Sequence, residues 1–66
     1  MSTGIVSSFD ERIGLGTVVL DDGRHLEFHA TAIADGTRAI EPGAHVIVGV
    51  EPDHRGRFKA GRVVSR

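Results

Sequence analysis

Leu15-Gly16-Thr17-Val18-Val19-Leu20-Asp21-Asp22-Gly23-Arg24-His25-Leu26-Glu27-Phe28-His29 holds two short β-type runs around one turn signal. His25–His29 alternates polar and apolar residues without a break. In a strand, Leu26 and Phe28 then face one side, and His25, Glu27 and His29 face the other. Asp22-Gly23 is the strongest hairpin signal in the chain, because both central residues of a two-residue turn take positive φ. Leu15–Leu20 is rich in residues that fit a pleated surface.

The same rhythm of run and turn extends in both directions. Ile5–Phe9 comes first, closed by the polar turn Asp10-Glu11-Arg12. After His29 a long connection spans 30–43. Its first residues, 30–34, allow one short helical turn, which Asp35-Gly36 breaks, and Glu41-Pro42-Gly43 is a tight turn. Ala44–Val50 is the fourth run, 52–56 a polar loop, and Phe58–Val64 the fifth run. No helix-period segment is long enough to form a helix beyond that one turn, and there is no internal repeat, low-complexity tract or linker. Three hairpin-linked strands and a longer crossing before the fourth predict an all-β domain, a five-stranded antiparallel barrel of the OB type. Its expected core is Val6, Val18, Leu26, Phe28, Ile33, Val46, Val48 and Val63.

A chain of 66 residues forms a single domain over 1–66. A domain this small buries only about 60% of its unfolded surface, so the core must be economical. The absence of cysteine excludes disulfides and cysteine-based zinc sites and suits a cytoplasmic location. With no long apolar run, neither a signal peptide nor a membrane span is expected.

Net charge is −1, but its distribution is uneven. Residues 1–54 carry a formal charge of −6, whereas 55–66 carry +5 from Arg55, Arg57, Lys59, Arg62 and Arg66. Such asymmetry can mark a contact to phosphate or an acidic partner. It also fits a charged edge strand that resists edge-to-edge pairing.

From Gly4 to about Val64 the chain resembles the bacterial cold-shock domain family. Gly4-x-Val6-x-x-Phe9-Asp10 resembles the family opening Gly-x-Val-Lys-Trp-Phe-Asn. Gly14-Leu15-Gly16-Thr17-Val18 is similar to the first RNA-binding motif, Gly-Phe-Gly-Phe-Ile. Leu26-Glu27-Phe28-His29 is similar to the second, Val-Phe-Val-His. His29-x-Thr31-Ala32-Ile33 and Glu41-Pro42-Gly43-x-x-Val46 follow in family order, and Ala60-x-x-Val63 fits the last strand. The resemblance implies a compact OB barrel that binds single-stranded RNA or DNA by stacking bases on exposed aromatics over a basic face.

The departures fall on the ligand positions. Ser8 stands where the family has tryptophan, and Leu15, Thr17 and Glu27 where it has phenylalanines. Ser7 and Ile13 replace lysines, and Ala30 replaces a frequent aromatic. Four lost stacking positions, each worth about 1–3 kcal/mol, remove most of such a surface's affinity. His29 and Phe9 remain. The expected site therefore combines Phe9, Leu15, Thr17, Glu27 and His29 with Arg55, Arg57, Phe58, Lys59 and Arg62. Phe9 and Phe58 also have plain readings as packing side chains. The expected partner is single-stranded RNA or DNA, bound weakly. The rival is a partner protein, meeting a patch of Leu15 and Val19 bordered by His25, Glu27 and His29.

Catalysis is not expected, because the chain has no nucleophile elbow and no phosphate-cradling loop. Gly14-x-Gly16 lacks the third glycine and the helix of a dinucleotide site, and no cofactor is expected. Two imidazoles and a carboxylate at His25-x-Glu27-x-His29 could hold a divalent metal. A solvated polar face, with Glu27 paired to a histidine or a cross-strand arginine, is the preferred reading.

Overall fold

A computed structural model describes residues 2–36 and 39–66. Met1 lies outside the described residues, as do Thr37 and Arg38 of the expected long connection. The chain forms β1 (Ser2–Asp10), β2 (Leu15–Leu20), β3 (His25–His29), β4 (His45–Pro52) and β5 (Phe58–Ser65), with one 3-10 turn at Ala30–Ala32. The bounds of β2 and β3 match the runs read from the sequence. β1 is longer than its run at both ends, because Ser2–Gly4 pair with β4 and Asp10 pairs with Leu15 of β2.

All five strands belong to one antiparallel sheet in the order β3-β2-β1-β4-β5. This ladder does not close into the expected barrel: among the described residues no ladder joins β3 to β5. The reason is local. At Ala30 the chain leaves strand geometry for the 3-10 turn, and it meets β5 only afterwards. There, Ile33 forms a single parallel bridge with Val63, and the Ala34 N–H donates to the Val63 carbonyl at 2.8 Å. β3 and β5 nevertheless pack side by side.

The β2–β3 turn is longer than the two-residue form expected. Leu20 N–H donates to the Arg24 carbonyl at 2.8 Å, and Gly23 N–H returns to the Leu20 carbonyl at 2.9 Å. Three residues thus lie between the paired ends, and Gly23 takes φ 92°. A type I turn closed by a left-handed glycine has this bonding.

Two bulges bend the sheet. Val6 opposes Val18 and Ser8 opposes Thr17, which leaves Ser7 as an extra residue in β1. On β5, Arg62 opposes Gly49 and Ala60 opposes Val50, which makes Gly61 the extra residue. A bulge shifts the in–out alternation by one and increases local twist. Hence Ala60 and Val63, three residues apart, both point inward. All eight expected core residues are buried, joined by Leu20, Ala30 and Ala60. All of these except Ala30 form one cluster, with Phe9, Ala32, Ile40, Ala44 and Val50 packed against it.

Candidate functional site

The outward residues of β2 and β3 meet in register. Leu15 opposes His29, and Thr17 opposes Glu27. Leu15, Glu27 and His29 are exposed, and Thr17 is half-buried. The alternation of β3 thus places its three polar side chains on the solvent face, as the sequence implies. His29 also caps the 3-10 turn, its Nδ1 accepting the Thr31 N–H at 3.2 Å. In the neutral ring this acceptor role puts the proton on Nε2.

The loop between β4 and β5 is organised by Asp53. One carboxylate oxygen accepts the backbone N–H of Arg55 at 2.8 Å and of Arg57 at 2.9 Å. The other accepts from the Arg55 guanidinium at 3.2 Å. Asp53's side chain is only 5% exposed. Its carboxyl is held below the usual carboxylate range, chiefly by the Arg57 N–H and against its partial burial, with the Arg55 N–H and guanidinium adding to the effect. An Asp accepting from the backbone N–H two residues on is a common turn device.

Arg55 reaches beyond its own loop. Its Nη2 lies 3.0 Å from Glu27 Oε1 and ties the loop to β3. The hydrogen bonds to Glu27 and Asp53 hold the guanidinium more firmly protonated than usual. Between the loop and the strands lies an open groove of about 320 Å³. Leu15, Glu27, Phe28 and His29 line it from the strands. Asp53, His54, Arg55 and Lys59 line it from the loop side. Lys59 Nζ pairs with Glu51 across β4–β5 at 3.6 Å.

Neither a protein-family model nor a curated protein matches the chain. The site therefore rests on its own geometry.

Of the residues expected from the sequence, Leu15, Glu27, His29, Arg55 and Lys59 come together in this groove. Thr17 lies beside Glu27 but does not line it. Arg57 is exposed on the loop, and Arg62 opposes Gly49 on β4, also away from the groove. Phe9 turns inward: its ring stacks on Phe28 at a centroid distance of 5.7 Å and an interplanar angle of 6°. Phe58, in contrast, is 59% exposed at the start of β5, so it is not a core residue. Three groove residues were not expected at the site: Phe28, assigned to the core, and Asp53 and His54 of the loop. His54 stood isolated in the sequence, and only the folded loop brings it to the wall. Asp53 had a readable signal in its place ahead of a Gly-containing turn.

The arginine that meets Glu27 comes from the β4–β5 loop, not from a neighbouring strand. Among the described residues no group of three His, Asp or Glu side chains is placed to hold a metal ion. No helix there is long and apolar enough to cross a membrane.

Proposed function

We propose that the chain is a cold-shock-like domain of the OB class that binds single-stranded RNA or DNA weakly in the cytoplasm, as a binder and not a catalyst. The observation that carries this reading is the position of Arg55. It stands on a loop fixed by Asp53, at the edge of a groove with the apolar Leu15, His29 and a second cation, Lys59. A strand of nucleic acid needs a cation for its phosphate beside an apolar surface for its base, and the groove offers both. Exposed Phe58 between Arg57 and Lys59 adds an aromatic to the same basic edge. The OB part of the proposal draws on the strand order, the two bulges and the side-by-side packing of β3 and β5.

Fluorescence-anisotropy titration of labelled oligo-dT and an RNA of equal length tests this reading. Binding should be measurable at about 50 mM salt and collapse by about 200 mM. Arg55→Glu with Arg57→Glu should abolish it. Full binding by that double variant would overturn the site assignment.

A second reading has its own support: Ile5, Ile13 and Leu15 are 41%, 62% and 42% exposed. Exposed apolar side chains, of which Leu15 shares the groove with Glu27, suit a partner protein, and such a contact should survive the charge reversal at Arg55 and Arg57.

A further inference from the structure

The Arg55–Glu27 pair lies across the groove that the proposed ligand would enter. Arg55 has two carboxylate partners with different roles. Asp53 belongs to the same loop and also binds the Arg55 backbone N–H, so it fixes where the side chain starts. Glu27 is 28 positions away in sequence, on β3, and accepts only from Nη2, which Asp53 also holds. Losing Glu27 therefore leaves Arg55 anchored by Asp53 and frees one Nη2 hydrogen at the wall of the groove. Both side chains are more than half exposed, 52% for Arg55 and 61% for Glu27. Ion pairs this exposed are weak and screened by salt. A phosphate forms shorter, charge-assisted and often bidentate bonds to guanidinium.

Resting on the nucleic-acid reading above, we propose that Glu27 is a resident competitor for the ligand's phosphate: binding exchanges Arg55's carboxylate partner for a phosphodiester. The exchange makes Glu27 an attenuator of the site. The unliganded groove keeps its cation neutralised, and nucleic acid must displace the carboxylate before it gains Arg55. Glu27 is thereby released beside the bound strand, where its charge opposes the phosphates. Both effects act in the same direction and lower affinity.

The experiment is a binding cycle with labelled oligo-dT at about 50 mM salt, using wild type, Glu27→Gln, Arg55→Gln and the double variant. All the altered side chains are exposed, and a thermal melt of each protein checks that folding is unchanged. Glu27→Gln should tighten binding about threefold to tenfold, and in the Arg55→Gln background the same change should bring a clearly smaller gain, the part due to repulsion of the phosphates. If the full gain persists without Arg55, Glu27 acts by repulsion alone and the exchange is overturned. If wild type binds and Glu27→Gln binds equally, the exchange fails while the nucleic-acid reading stands. If no variant binds, including Glu27→Gln, the nucleic-acid reading fails and the exchange fails with it.

Discussion

The Phe28 ring lies directly over the backbone of Gly16, its Cζ 2.5 Å from the point where a Cβ at residue 16 would stand. The two residues are cross-strand partners, and Phe9, the partner of Gly16 on β1, stacks on the Phe28 ring. The Ser8 carbonyl stands 2.8 Å from that point as well. A methyl group at residue 16 therefore meets a buried ring and a backbone oxygen, neither of which can swing aside. Gly16→Ala should destabilise the domain by about 1–3 kcal/mol, the usual cost of overpacking. Combining it with Phe28→Leu should cost less than the two changes summed, because a shorter side chain vacates the contested space. Urea unfolding of the three variants reads this directly, and strict additivity would refute the contact.

The fold was legible where side-chain alternation is regular. β2 and β3 have no internal bulge, and their bounds and inward faces follow from the sequence alone. Alternation fails where one residue is inserted. Counting by twos from Val6 sends Phe9 outward, but Ser7 is the extra residue, and Phe9 turns onto Phe28. Gly61 does the same on β5, which is why the inward position of Ala60 was not foreseen. Nor can a count of strands show whether a ladder closes, since that depends on where the 3-10 turn at Ala30–Ala32 carries the chain. The site was legible on β2 and β3 and opaque on the loop. The meeting of Arg55 with Glu27 is a tertiary contact that no spacing within either segment encodes.

Asp53 gives the loop a defined response to acid. Its carboxylate accepts two backbone N–H groups and a guanidinium, and these bonds lower its pKa from the ordinary 3.8. A depressed carboxyl pKa means that the charged form is favoured by folding. The stabilisation is complete above the unfolded value and is lost as pH falls through the folded one. Loop order should therefore persist at neutral pH and fade only below about pH 3.8. Amide chemical shifts of Arg55 and Arg57 followed against pH should titrate together with a midpoint below 3.8. Asp53→Asn should remove that transition and speed hydrogen exchange at the Arg57 amide. A midpoint at or above the ordinary value would show that the carboxylate does not hold the loop.

Phe58 separates stability from binding. Its ring is 59% exposed, and its strand partner is Pro52 at the mouth of the hairpin. Truncating a side chain with so little burial should change stability by no more than about 0.5 kcal/mol. On the nucleic-acid reading the same ring offers a stacking surface between Arg57 and Lys59, and stacking contributes about 1–3 kcal/mol per base. Phe58→Ala should therefore leave the thermal transition in place and weaken oligo-dT binding about fivefold or more. Phe58→Trp should restore or exceed wild-type affinity, since the larger ring stacks better and needs no room in the core. The salt dependence should stay the same in both variants, because counterion release follows the phosphate contacts of Arg55 and its neighbours and not the ring. If Phe58→Ala binds as wild type does, bases do not stack on this edge, and the affinity is carried by the groove without Phe58.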